Sequence, residues 1–225
     1  MLGWIICREG RCGTVQRRMV CGVPFLALEV PVSRRRADRR RLTAALKEMA
    51  RCGVRRIVVQ GGAVPELADF GMLPLDPSPL RVALLPQLLA WIAREHGWNL
   101  KKETVLLSAD SVCGAAWRTA VELSRHVRYI VPDTGTGQSE LEDALRCQLG
   151  LSAGGGRAVM EVCLGSSSHS HLPQLHLGCG CAQRQRIDLR WPKLPEAEEN
   201  MLCALFLAEK IPIEEVRVRF VEFRA

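Results

Sequence analysis

Short apolar segments alternate with helix-length segments between residues 55 and 163, and this alternation constrains the fold more than any other feature. The apolar segments are rich in Val, Ile and Leu, as buried strands are, and the others carry apolar side chains at helical spacing. Strands joined by helices predict an α/β protein with a mostly parallel sheet and helices on both faces. The predicted strands cover residues 55–59, 104–108, 127–131 and 158–163, and helices at 112–125 and 139–149 separate the last three.

Weaker patterns flank the predicted βα core of residues 33–163. The N-terminal segment, residues 1–32, is β-rich, with predicted strands at 2–7 and 23–30. Residues 164–185 form a predicted loop rich in Gly, Ser, His and Cys, and residues 186–225 a strand, a helix and an edge strand. Further helices are predicted over 34–51 with Ser33 as its cap, over 64–70, over 78–96 with a kink at Pro86, and over 196–210.

Composition favours a globular chain of a single domain. Of the 225 residues, 48% are hydrophobic and 24% charged, which excludes a disordered or collagen-like chain. The longest apolar stretch, residues 82–93, is shorter than the roughly 18 residues of a membrane span. Met1 to Arg8 lack the pattern of a secretory signal. We therefore expect a cytoplasmic protein that does not contact a membrane.

The ten cysteines are scattered through apolar segments instead of following a disulfide pattern. A chain of this length has no need of disulfide bonds to stabilise its core. We expect reduced thiols, five of which lie in or beside strand and helix patterns where small core residues are common. These five are Cys52, Cys113, Cys147, Cys163 and Cys203.

Residues 104–150 resemble the first half of a Rossmann dinucleotide-binding domain. A buried strand, a turn, a helix and a second strand follow in that order, and Asp133 lies near the offset of the acid that binds ribose in that family. Where the family carries three phosphate-loop glycines, this chain has Ser108, Asp110 and Cys113. The resemblance implies a Rossmann-like sheet whose phosphate glycines are missing. The whole chain also resembles arginine-rich proteins of clostridial bacteria, which implies no particular activity.

Loops that follow three predicted strands form the best candidate site for a small ligand. In an open parallel sheet these loops share the carboxyl edge, where ligands bind. Residues 133–139 offer N–H and hydroxyl groups to an anion such as a nucleotide phosphate. A plain loop, with Ser139 as helix cap and Glu142 completing a capping box, explains the same residues. The candidate ligand-binding residues are Gly61, Gly62, Ser108, Asp110, Ser111, Asp133, Thr134, Gly135 and Gly137.

A short segment concentrates histidine and cysteine and is a candidate zinc or copper site. Imidazole and thiolate side chains are the usual ligands of both metals. The segment contains no C-x-x-C pair, so a flexible polar loop is the alternative interpretation. The candidate ligands are His169, His171, His176, Cys179 and Cys181.

Arginines cluster at the start of the helix predicted over 34–51. Clustered guanidinium groups neutralise nucleic-acid phosphates, whereas a solvated basic helix face explains the same pattern without a partner. Aromatic residues for base stacking make up only 5% of the chain. The cluster consists of Arg34, Arg35, Arg36, Arg39, Arg40 and Arg41, with Arg17 and Arg18 as further candidates.

These patterns favour binding of a small ligand at the strand carboxyl ends, in a non-catalytic or regulatory role. An NAD(P)- or nucleotide-dependent enzyme with an atypical phosphate loop is one alternative. A basic accessory module for nucleic acid or protein is another. No catalytic residues can be assigned, because Ser111 lacks the surrounding glycines of a nucleophile elbow.

Overall fold

The computed structural model describes residues 1–32, 36–150, 157–165, 171–178 and 185–223. Its strands confirm the α/β class and the predominance of parallel pairing, but they form two sheets and a two-stranded ribbon where one sheet was expected. The chain divides into two units. Unit 1 comprises Met1–Asp76 with Glu196–Pro212, and unit 2 comprises Pro77–Pro195 with Ile213–Ala225.

The first sheet lies in unit 1 and has the N-terminal strand at its centre. Strand β1 (Leu2–Arg8) pairs in parallel with β3 (Val23–Pro31) and β4 (Arg56–Gln60). The edge strands are β2 (Gln16–Val20), antiparallel to β3, and β5 (Leu73–Pro74), parallel to β4. The N-terminal segment was expected to decorate a sheet formed by later strands. It is central because the run from Leu2 to Cys7 carries no charge, which suits a strand with a neighbour on each side.

Two helices pack on the strands of unit 1. Helix α1 (Arg36–Arg51) buries Leu42, Ala45, Leu46 and Met49, which recur at helical spacing, and packs against β3 and a 3₁₀ turn at Pro65–Phe70. Its expected cap, Ser33, lies outside the described residues. Helix α6 (Glu199–Leu207) follows much later in the chain and packs against β4. The core of unit 1 therefore joins residues from both ends of the sequence.

The second sheet lies in unit 2 and is wholly parallel, with the order β7-β6-β8-β9. Helix α4 (Gly114–Ser124) connects the first two of its strands in sequence, and α5 (Gln138–Leu149) the second and third. The third strand pairs with the first on the side opposite the second, whereas a Rossmann half places it beyond the second. The strands are β6 (Thr104–Ala109), β7 (Tyr129–Thr134), β8 (Met160–Cys163) and β9 (Gln174–His176).

Local predictions differ from the structure at three places in unit 2. Strand β9 forms inside the segment expected to be a loop. The helix expected over 78–96 is two helices, α2 (Ser78–Ala83) and α3 (Leu85–His96), because Pro86 lies in the first turn of α3, where a missing N–H is tolerated. The expected edge strand, β11 (Arg217–Phe223), instead pairs antiparallel with β10 (Gln185–Arg190). The Trp91 indole N–H of α3 donates to the Arg219 carbonyl of β11 at 3.0 Å.

The cysteines follow the prediction only in part. Cys163 on β8 and Cys203 on α6 are buried, whereas Cys52, Cys113 and Cys147 are exposed. Cys52 follows the last turn of α1, and Cys113 immediately precedes α4, so neither lies on a buried helix face. Within the described residues, no helix combines the length and the apolar character needed to cross a membrane.

Strand β9 has its open edge closed by side chains. The Gln185 amide accepts a hydrogen bond from the His176 backbone N–H at 2.8 Å and donates one to the Gln174 carbonyl at 3.3 Å. The buried Arg81 guanidinium donates to the His176 carbonyl at 2.8 Å. These side chains satisfy backbone groups that a further strand would otherwise pair, so a three-residue strand can end the sheet.

Replacing Gln185 with Ala is expected to lower the free energy of unfolding by about 1–3 kcal/mol, because the buried His176 N–H and the partly buried Gln174 carbonyl lose their partner. Urea unfolding measures the loss. Gln138→Ala is the matched control, since the Gln138 amide only bonds the Glu142 side chain on an exposed helix face. Equal stability of the two variants would show that the Gln185 amide does not close the sheet.

Candidate ligand site at the carboxyl edge of the second sheet

The carboxyl ends of β6 and β8 form the point where the second sheet reverses its direction of winding. The chain leaves β6 toward β7 on one side and leaves β8 toward β9 on the other. Open α/β sheets bind ligands in the crevice at such a point, because connections that diverge leave the strand ends uncovered. Asp110 follows β6 here, and Gly165 lies two residues after β8.

The loops at this edge are held together by backbone hydrogen bonds. The Gly135 N–H donates to the Ala109 carbonyl, and the Val112 N–H donates to the Thr136 carbonyl, both at 3.2 Å. These bonds join the loop after β6 to the loop after β7. On the other side, the Leu164 N–H donates to the Ser108 carbonyl at 2.8 Å. The predicted site residues after β6 and β7 are therefore brought together.

Asp110 occupies the centre of this edge between two glycines. A Cβ atom on Gly165 would lie 2.3 Å from Asp110 Oδ1 and 2.9 Å from its backbone nitrogen. A Cβ on Gly135 would lie 2.8 Å from the Asp110 carbonyl oxygen. All three distances are too short for a Cβ atom, so glycine at each position lets a neighbouring loop approach Asp110. Asp110 itself remains exposed.

Helices α4 and α5 both begin at this edge without a capping side chain. Cys113, in extended conformation, precedes α4, and Gly137, in the left-handed region with φ 78°, precedes α5. The prediction that Ser139 caps α5 is wrong, since Ser139 lies inside the helix. Helix starts leave backbone N–H groups without helical partners and carry partial positive charge. Within the described residues no capping side chain satisfies these N–H groups, which suits an anionic group of a ligand.

Thr134 adds a buried polar atom at the same edge. It ends β7 and is 7% exposed, and its Oγ1 has no hydrogen-bond partner among the described residues. A buried hydroxyl without a partner is costly unless a ligand or water completes it. Asp133, which precedes Thr134 in β7, and Ser111, which follows Asp110 after β6, are both exposed. The edge thus offers carboxylates together with N–H and hydroxyl groups.

A buried polar face lies beneath the edge and was missed by sequence reasoning. The register places Ser108, Glu161 and Gln174 on one face of the sheet, and Leu107, Val162 and Leu175 on the other. The Ser108 hydroxyl donates to the Glu161 carboxylate, and the Gln174 amide donates to the same carboxylate at 3.3 Å. Glu161 places a carboxylate within the apolar run Met160–Cys163. This pattern indicates a buried polar network, since a buried carboxylate needs hydrogen-bond partners.

Ser108 has a structural role in this network, which differs from its predicted role in ligand binding. The side chain is 4% exposed and its hydroxyl bonds to Glu161, which is completely buried. Ser108 was expected to face a ligand, and it instead joins β6 to β8 below the site. The bond fixes the two strands whose ends carry Asp110 and Gly165.

Gly61 and Gly62 belong to the other sheet. They follow β4 in unit 1, so the expectation that they share a strand edge with Asp110 is wrong. The pair packs on the end of β1, since a Cβ on Gly61 would lie 2.6 Å from the Cys7 carbonyl oxygen. Gly61 also has a φ of 77°, which favours glycine.

The predicted metal ligands are only partly described. His169, Cys179 and Cys181 lie outside the described residues. His171 is exposed, and His176 is buried on β9. Across the residues that the structure describes, no group of three or more His, Cys, Asp or Glu side chains is placed to hold a metal ion. The zinc or copper site stays a prediction.

The chain was also compared with known proteins. No model of a known protein family matches it, and no functionally curated protein matches it significantly.

Gly165→Ala is expected to lower the free energy of unfolding by about 1–3 kcal/mol, because the new methyl group overlaps Asp110. Gly114→Ala, in the first turn of α4, is the control. A Cβ there lies 3.6 Å from the Arg118 side chain, so we expect a change below about 1 kcal/mol. Urea unfolding of both variants gives the comparison. If Gly165→Ala leaves the free energy of unfolding unchanged, Gly165 does not lie in close contact with Asp110.

Proposed function

We propose that the protein binds a small polar ligand at the carboxyl edge of β6, β7 and β8, in a binding or regulatory role. The observation that carries the proposal is the meeting of Asp110 and the uncapped starts of α4 and α5 at one edge. Loops joined by backbone hydrogen bonds hold these groups together. The reversal of winding between β6 and β8 supports the same place in the sheet.

The chemistry of the edge selects the kind of ligand. Free N–H groups at a helix start favour an anion, whereas the carboxylates of Asp110 and Asp133 favour hydroxyl or ammonium donors. A ligand that carries both kinds of group satisfies both sides. Nucleotides and free amino acids have this property. An inorganic anion alone satisfies only the N–H groups and is repelled by the carboxylates, so we expect it to bind weakly.

A thermal-shift screen tests the proposal. The compounds are ATP, GTP, NAD, NADP, S-adenosylmethionine and the common amino acids, each with and without Mg²⁺. A ligand at a hundred times its Kd adds about 2.7 kcal/mol, which raises the Tm of a chain of this size by roughly 5–10 °C. We expect at least one compound to do so.

Asp110→Asn is expected to reduce that shift, because the amide keeps the shape and loses the charge that holds the donor groups. Asp143→Asn is the control, since Asp143 is an exposed carboxylate on α5 beside Arg146. The proposal is wrong if no compound shifts the Tm, or if both variants respond as the wild type does.

A nucleotide-dependent enzyme with an atypical phosphate loop is the second candidate. The uncapped start of α4 and the Thr134 hydroxyl favour it, because both supply hydrogen-bond donors for phosphate oxygens. The two candidates predict opposite effects of Asp110→Asn on the ligand-induced rise in Tm. If a phosphate lies against the loop, Asp110→Asn strengthens the shift produced by ATP or NAD, because it removes a like charge.

A further inference from the structure

The net positive charge of the chain arises from one segment. Residues 34–56 contain ten of the 31 basic residues and two of the 24 acidic ones, so the segment carries +8. The remaining 202 residues therefore carry −1, against +7 for the whole chain. A general preference for Arg over Lys would not produce this distribution, because it leaves the balance of basic and acidic residues unchanged. The concentration of charge requires a local explanation.

Helix α1 arranges part of this charge as a stripe. Arg36, Arg40, Lys47 and Arg51 are exposed and differ by 4, 11 and 15 positions, which places them within about 60° of one another and directly opposite the buried side of the helix. At 1.5 Å per residue the stripe is about 22 Å long. Arg39 and Arg41, also exposed, flank it. We call these six residues the basic face of α1.

The positive charges of the basic face are not neutralised by ion pairs with the described residues. Among the described residues, none of its six side chains forms an ion pair, whereas Arg18 bonds to Glu29 and lies over the Trp4 ring. Like charges one turn apart repel, and cations in the first turn oppose the helix dipole. Asp38 in the first turn and Arg51 in the last turn suit the dipole, whereas Arg36 and Arg39 in the first turn and the like charges one turn apart disfavour α1. A bound polyanion would reverse both effects.

We propose that the basic face of α1 binds the phosphate backbone of nucleic acid without regard to sequence. The exposed positions of α1 carry no aromatic or large apolar residue, and such residues form the centre of protein interfaces. Nucleic-acid interfaces, in contrast, are polar and strongly positive. A membrane surface is disfavoured, because the apolar side of α1 is already buried in the core of unit 1.

The face is suited to phosphates and not to base edges. It lacks the Asn and Gln side chains that read adenine and the aromatic rings that stack on unpaired bases. We therefore expect similar affinity for duplexes of unrelated sequence. Affinity should fall steeply with salt, because each neutralised phosphate releases counterions.

The test measures binding of the full chain to a 20-base-pair duplex by fluorescence anisotropy between 50 and 200 mM KCl. The variant carries Arg36→Gln, Arg40→Gln, Lys47→Gln and Arg51→Gln. The control carries Arg125→Gln, Arg146→Gln, Arg190→Gln and Arg217→Gln, which remove the same charge from exposed positions of unit 2. Circular dichroism and Tm establish that both variants fold.

Wild type and control are expected to bind with a similar slope of log affinity against log salt. The variant is expected to bind at least tenfold more weakly at 50 mM KCl, with a slope smaller by about 3 to 4. Absence of binding by the wild type would overturn the proposal, as would equal weakening of variant and control. If poly-glutamate of equal charge binds the wild type more tightly than the duplex does, the face serves an acidic protein and the proposal is wrong.

Discussion

The hydrogen bond between the Ser108 hydroxyl and the Glu161 carboxylate is the interaction on which the second sheet most depends. A carboxyl group without solvent contact needs hydrogen-bond donors in fixed positions, and Ser108 and Gln174 supply two from the strands on either side of β8. The three strands are thereby held in one register. That register carries Asp110 to the side of Gly165, where the sheet reverses its winding.

The two units carry different chemistry. The edge of the second sheet combines carboxylates with uncapped helix starts and a buried hydroxyl, a set suited to a small molecule with groups of both kinds. The basic face of α1 in unit 1 carries cations only, along a helix whose other side is already packed. The two proposals join recognition of a small ligand to binding of a polyanion, and the residues that test each proposal lie in different units.

Sequence patterns predicted the helices and the longer strands because hydrophobic periodicity is a local property, but they missed the strands β2, β5 and β9. Strand β6, helix α4 and strand β7 lie close to their expected positions. The division into two sheets was not predictable from period, since Val58 and Val105 occupy equally apolar runs and nothing local states which strands will pair. The cap of α5 was misassigned because Gly137 takes the left-handed conformation two residues before Ser139. Glu161 was overlooked because its partners come from distant segments.

We propose above that the uncapped starts of α4 and α5 form part of a ligand site. An amide-detected NMR titration with inorganic phosphate, followed to high millimolar concentration, tests it most directly because the free N–H groups themselves are observed. We expect the largest shifts on the amides of residues 114–116 and 138–140, and we expect Asp110→Asn to increase them by removing a like charge. Shifts confined to α1, or absent from both helix starts, would contradict it.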